Sequence, residues 1–143
     1  MKVELQWQSG LRFEARTDRV SRPFPVAGSG EVEDGESVGP TPKELLLVSL
    51  AGCTAMDVAS ILTKMREPLR ALRVSAEADQ TEEHPRVFKA FHIVYEAEGE
   101  GLDADKVLRA VHLSQERYCG VSHMLKKAAP VTFEVRVNGA VVA

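Results

Sequence analysis

One unbroken helix-forming segment constrains this chain more than any other feature. It opens at Pro40-Thr41-Pro42-Lys43-Glu44, where Thr41 suits a cap, Pro42 the first helical position and Glu44 the first turn. From there only Gly52 interrupts the pattern before Pro68. About 24 residues at ~1.5 Å each predict a helix of roughly 36 Å, the width of a small domain. Its first half is apolar all round, which requires cover on several sides. Its second half is amphipathic, with Met56, Ile61, Leu62 and Met65 set against Asp57, Lys64, Arg66 and Glu67. The 143 residues suffice for one domain, 1–143, with a real core. One small sheet does not cover such a helix, but a second copy of the chain does. The expectation is therefore a homodimer with a large apolar interface.

The rest of the chain alternates in strand-like fashion. Val3, Leu5 and Trp7, the turn Ser9-Gly10, then Leu11, Phe13 and Ala15 predict an opening β-hairpin. Residues 21–41, rich in proline and glycine, read as a long loop with one short strand at its start. After the long helix come two strands, one through Leu72, Val74, Ala76 and Ala78, the other through Val87, Phe91, Ile93 and Tyr95, with His84-Pro85 turning between them. Gly99 and Gly101 end the second. Asp103 caps a helix carrying Val107, Leu108, Val111 and Leu113, a short helix follows over 121–129, and Val131, Phe133, Val135 and Val137 form a last strand. This order predicts an α+β domain with an antiparallel sheet and helices on one face.

A formal charge of −3 argues against nucleic acid, where a basic face is expected. The alternating N-terminus is not a signal peptide. The uncharged stretch Leu45 to Met56, twelve residues, falls short of the roughly 20 a bilayer requires. No membrane partner and a cytoplasmic, reducing setting are the expectations. There a paired-cysteine role is redox or metal chemistry rather than a lasting structural bridge.

The chain has two cysteines. Cys119, in Arg117-Tyr118-Cys119-Gly120-Val121, sits just before a helix, where amide dipoles favour a thiolate. Cys53 is mid-helix in apolar surroundings that make a thiol inert, and Asp57 one turn further on adds a like charge. From local sequence each is open to a second reading as a small core residue. The four histidines, His84, His92, His112 and His123, are scattered, and no zinc-type spacing is present, so no metal and no cofactor are expected. His123 follows Cys119 by four residues, close enough to share a helical turn. No nucleophile elbow, phosphate loop or dinucleotide fingerprint occurs.

Two stretches taken together resemble the OsmC/Ohr family: Gly39-Pro40-Thr41-Pro42-Lys43-Glu44-Leu45-Leu46-Leu47 through Ser49-Leu50-Ala51-Gly52-Cys53-Thr54-Ala55-Met56-Asp57-Val58, and Arg117-Tyr118-Cys119-Gly120-Val121-Ser122. The likeness covers nearly the whole chain and is greatest to the YhfA-like branch. It implies an OsmC-like fold, antiparallel sheets around a long central helix in an intertwined homodimer, with the two cysteines meeting near the interface. It implies Cys53 as the peroxidatic residue attacking an organic hydroperoxide and Cys119 as the resolving residue. An external dithiol, a lipoyl protein or a small thiol, would reduce the resulting disulfide. Arg12 falls near the family's arginine. Glu44 is offset from the family's glutamate, and nine residues of straight helix turn it about 180° away from Cys53.

Three functional readings follow. The first is a two-cysteine, thiol-dependent peroxidase in oxidative-stress defence, with Cys53, Cys119, Glu44 and Arg12 as its site. The second is a non-catalytic OsmC-like dimer that binds a small ligand or senses thiol oxidation. In the third the cysteines only fill the core, a reading favoured if their Cα atoms stand more than about 7 Å apart with no route to closer approach.

Overall fold

A computed structural model describes residues 1–143. The chain forms two compact units, Met1–Leu46 and Leu47–Ala143.

In the first unit, β1 (Val3–Ser9), β2 (Arg12–Thr17) and β3 (Phe24–Ala27) form an antiparallel sheet in that order. Pro25 is tolerated because β3 is an edge strand, where a missing N–H costs no ladder bond. A hairpin of two-residue strands, β4 (Val32–Glu33) and β5 (Glu36–Ser37), lies in the stretch that reads as loop from sequence. Its turn is Asp34-Gly35, both at positive φ (51° and 81°), the pairing that a two-residue hairpin turn demands.

Helix α1 (Pro42–Lys64) begins where the sequence places it and spans the boundary between the units. Thr41 and Glu44 build its start reciprocally. The Thr41 N–H and hydroxyl donate to Glu44 Oε2 at 2.7 and 2.9 Å, and the Glu44 N–H donates to Thr41 Oγ1 at 3.3 Å. The helix stops before Pro68. Arg66 takes φ 57°, its N–H donates to the Thr63 carbonyl, and the Glu67 N–H donates to the Leu62 carbonyl. That double closure is a Schellman stop built without glycine. At 23 residues α1 is long and apolar enough to cross a membrane by length and composition alone, though its uncharged stretch is the twelve residues read from sequence. Core helices of soluble proteins meet the same test.

In the second unit, β6 (Ala71–Gln80), β7 (Phe88–Glu98), β8 (Val131–Val137) and β9 (Ala140–Val141) form one sheet in sequence order. The expected all-antiparallel pairing holds except between β7 and β8, which are parallel. Helix α2 (Ala104–Leu113), a wider turn (Ser114–Tyr118) and α3 (Gly120–Leu125) carry the chain back to make this possible, since parallel neighbours need a crossover. Asp103 caps α2 by accepting from the N–H groups of Asp105 and Lys106. Gly99 is required by close approach: a Cβ there would stand 1.9 Å from the Pro68 carbonyl oxygen.

The α1 residues that are buried recur every fourth position, Leu50, Thr54, Val58 and Leu62. The apolar ones pack in one cluster with Ile93 and Tyr95 of β7, Val107 and Val111 of α2, and Val135 of β8. Burying each such side chain stabilises the fold by roughly 1.5–3 kcal/mol. Other apolar positions on α1 stay uncovered: Val48 is 62% and Met56 75% exposed.

Candidate dithiol site

The 23-residue α1 holds Cys53 and Asp57 one turn apart on the same face, and Thr54 on the buried stripe. The crossover brings the second cysteine. After α2 the helix widens by one residue per turn, so that the Cys119 N–H donates to the Ser114 carbonyl five residues back at 2.9 Å. The wider turn buries both Ser114 and Gln115, which are consecutive. Cys119 leaves it in extended backbone (φ −72°, ψ 98°) and caps α3, its Sγ accepting from the Ser122 N–H at 3.3 Å.

The two sulfurs and an Asp57 carboxylate oxygen lie within 4.8 Å of one another. Both cysteines are free thiols, Cys53 half-buried and Cys119 fully buried.

Behind this trio runs a buried polar chain whose proton directions follow from valence. Ser114 Oγ donates to Asp57 Oδ2 at 2.9 Å, because a carboxylate only accepts. With its proton spent, Ser114 must accept from Thr54, 2.8 Å away. Thr54, its proton also spent, accepts from Tyr95 Oη at 2.6 Å. Gln115 Nε2 donates to Tyr95 Oη at 2.8 Å and to Thr54 Oγ1 at 3.2 Å, and Gln115 Oε1 accepts from Ser122 Oγ at 2.6 Å. Every hydroxyl proton from Tyr95 onward thus points towards Asp57. No buried side-chain polar atom lacks a partner, so this network carries no desolvation penalty of the kind an orphaned group incurs.

Burial pushes the Cys119 thiol up to about 11; the Ser122 N–H works against this, and the neighbouring Cys53 and Asp57 add to it. The sequence expectation of a Cys119 thiolate is corrected: desolvation outweighs one amide and a short helix. Arg117 gives no help, since its guanidinium lies over the Tyr118 ring, 5.7 Å from the centroid. His123 Nε2 bonds the Glu116 carbonyl at 3.0 Å. Burial likewise pushes the Tyr95 phenol up to about 12, opposed by its hydrogen bonds with Thr54 and Gln115.

The other two residues proposed from sequence are engaged within Met1–Leu46. Arg12 Nε donates to Glu31 Oε2 at 2.7 Å, and its other nitrogens meet the Val32 carbonyl at 3.0 Å and Glu33 at 3.5 Å. The hydrogen bond to Glu31 raises the Arg12 pKa further, and the same contact lowers that of Glu31. Glu44 is lowered by its bonds to the Thr41 backbone and hydroxyl. Sequence reasoning noted Asp57 but missed Thr54, Tyr95, Ser114, Gln115 and Ser122. The available signal was Thr54, a polar residue in an otherwise apolar stripe repeating every four residues.

Beside Asp57 an open groove of about 480 Å³ is lined by Ser60, Ile61, Lys64, Met65, Leu113 and Tyr118. Its walls are mostly apolar, with the carboxylate at one side.

A long helix against a mixed sheet, with two free thiols and a carboxylate gathered on it, defines a small α+β dithiol protein. Residues 33–134 match the family described as OsmC-like protein. The chain belongs to that family. It is 34% identical over 142 residues to protein YhfA of Escherichia coli K12, covering 98% of this chain and all of that one. A hypothetical protein from Aquifex aeolicus VF5 superposes with a TM-score of 0.79 at 29% identity, covering 96% of each chain. The organic hydroperoxide resistance protein OhrB of Bacillus subtilis shares the fold at a TM-score of 0.63 and 14% identity, over 95% of this chain and 98% of that one.

Proposed function

We propose that this protein is a two-cysteine thiol peroxidase that reduces organic hydroperoxides in oxidative-stress defence. The observation that carries the reading is the approach of both sulfurs and the Asp57 carboxylate to within 4.8 Å. Cys53, half-buried on α1, is the attacking residue, since a peroxide reaches it sooner than the fully buried Cys119. Asp57 takes the Cys53 proton as the sulfur attacks the outer peroxide oxygen. The O–O bond breaks, the alkoxide leaves as alcohol on collecting a proton, and Cys53 becomes a sulfenic acid. The Cys119 thiol then displaces hydroxide from that sulfur, forming a disulfide and one water. An external dithiol, a lipoyl protein or a small thiol, exchanges with the disulfide and leaves oxidised.

The apolar groove at Ile61, Met65 and Leu113 suits the alkyl tail of such a substrate. By resemblance Arg12 and Glu44 are candidate activating groups, and their present partners are Glu31 and Thr41. The exposed apolar positions of α1 support a homodimer, and the free dithiol suits the reducing cytoplasm.

The test is turnover of cumene or tert-butyl hydroperoxide with a dithiol reductant. Wild type should exceed Cys53→Ser by orders of magnitude; equal rates sink the proposal. A second reading, a non-catalytic module that binds a small ligand or senses oxidation, draws support from the raised Cys119 thiol, whose charged neighbours are acids. It predicts sulfenic acid or disulfide formation with stoichiometric peroxide but no multiple turnover.

A further inference from the structure

We infer that Cys53, Cys119 and Asp57 together form a binding site for a thiophilic divalent cation of the Zn²⁺ class in the reduced protein. This does not rest on the peroxidase reading, because it concerns the reduced chain without peroxide. Cys53 and Asp57 stand on α1 and Cys119 caps α3, all in the unit Leu47–Ala143, and their ligand atoms lie within 4.8 Å of one another. Around Zn²⁺, with Zn–S near 2.3 Å and Zn–O near 2.1 Å, tetrahedral ligand atoms stand roughly 3.5–3.8 Å apart. From at most 4.8 Å the trio closes by up to about 1.3 Å to meet that geometry.

The surroundings have the character of a metal shell. Two sulfurs and one carboxylate are the ligand types that zinc takes. Asp57 is held from behind by Ser114 Oγ at 2.9 Å, and Ser114 by Thr54, which fixes the carboxylate as outer hydrogen bonds fix ligands in metal sites. Cys119 is fixed by the Ser122 N–H at 3.3 Å and by its fully buried position. Cys53 and Asp57 are only half-buried, so the ion has an entry path and a fourth position open to water. On binding the two sulfurs and the carboxylate, a divalent ion displaces two thiol protons, so the site keeps its net charge of about −1 and binding weakens as pH falls. A disulfide between the same sulfurs has no thiolate to offer, so the site exists only in the reduced chain.

The experiment titrates the reduced full-length protein with Cd²⁺, following the ultraviolet thiolate-to-metal charge-transfer band, and with Zn²⁺ against a chromophoric chelator. One ion per chain is expected, with a band amplitude for two thiolates. Cys53→Ser and Cys119→Ser should each halve the band and weaken Zn²⁺ binding at least tenfold. Asp57→Asn, which keeps the size of the side chain, should weaken Zn²⁺ roughly 10–100-fold with the band retained. Circular dichroism on each variant separates lost binding from lost folding; Cys53→Ser and Asp57→Asn alter half-buried positions and suffice if Cys119→Ser does not fold. Unchanged Zn²⁺ affinity in Asp57→Asn, or a band unaffected by Cys53→Ser, would overturn the site.

Discussion

Ser114 donates its hydroxyl proton to Asp57 at 2.9 Å, and that one bond sets the direction of every hydroxyl behind it. The carboxylate can only accept, so Ser114 accepts from Thr54 and Thr54 from Tyr95. A buried chain from the sheet to α1 therefore ends on the negative group beside both thiols. The arrangement ties core stability to site geometry.

Thr54 is the hub of that chain, and Thr54→Val tests its weight. Valine matches threonine in shape but leaves Tyr95 Oη, Ser114 Oγ and Gln115 Nε2 short of a partner. Loss of about 1–3 kcal/mol is expected, the penalty of stranding buried polar groups. Urea denaturation at neutral pH measures it; a change within ~0.5 kcal/mol means water restores the bonds.

The elements were largely legible in the sequence, because each had a local signature. The Thr41-Pro42-Glu44 start and the Asp103 cap are chemical signals that need no tertiary knowledge. The stop at Lys64 was not legible, since Arg66 sits in the left-handed conformation that glycine ordinarily marks. Strand direction was not legible either: alternation in 131–137 gives a face, and only the crossover makes β8 parallel to β7. The site was half legible. Asp57 follows Cys53 by one turn, a local fact, whereas Gln115 reaching Tyr95 is a contact between distant segments that no spacing encodes.

Thiol reactivity should separate the cysteines sharply. Cys119 is fully buried, and burial pushes its thiol up to about 11. Cys53 is half-buried. Iodoacetamide at neutral pH should label Cys53 completely before Cys119 is touched, as peptide mass spectrometry will show. Equal labelling would mean that α3 opens on the labelling timescale.

The same shift makes stability depend on alkaline pH. Between 9.0 and about 11 the unfolded chain has released the Cys119 proton and the folded chain keeps it. The folded state then binds more protons, so unfolding free energy falls as pH rises. This contribution is intact below pH 9.0 and lost above about 11. Thermal melts of wild type should decline across that window more steeply than those of Cys119→Ala, both under reductant. Tyr95, pushed up from 10.0 to about 12, leaves a residual slope in both proteins.

The uncovered apolar positions of α1 predict the oligomeric state. Leu46 is 38%, Val48 62% and Met56 75% exposed on a helix that buries only the stripe Leu50, Thr54, Val58 and Leu62. If a second copy covers them, Val48→Glu places a charge in a dry interface and should convert dimer to monomer. Light scattering coupled to size exclusion reads the mass directly. A wild-type monomer contradicts the dimer outright.

Activation of Cys53 is decided by comparing Asp57→Asn with Arg12→Ala. A positioned base contributes typically 10²–10⁴-fold. Asp57 stands within 4.8 Å of the Cys53 sulfur and is held there by Ser114. Asp57→Asn keeps that hydrogen-bond acceptor, so the site retains its shape while losing the base. Hydroperoxide turnover should fall about 10²-fold or more. Arg12 spends its guanidinium on Glu31, Glu33 and the Val32 carbonyl. Arg12→Ala should therefore leave turnover within a few-fold of wild type at saturating peroxide. The reverse pattern, a large loss in Arg12→Ala with little in Asp57→Asn, would mean that Arg12 exchanges Glu31 for the reacting centre. Glu31→Gln would then raise turnover, since it frees the guanidinium from its carboxylate partner.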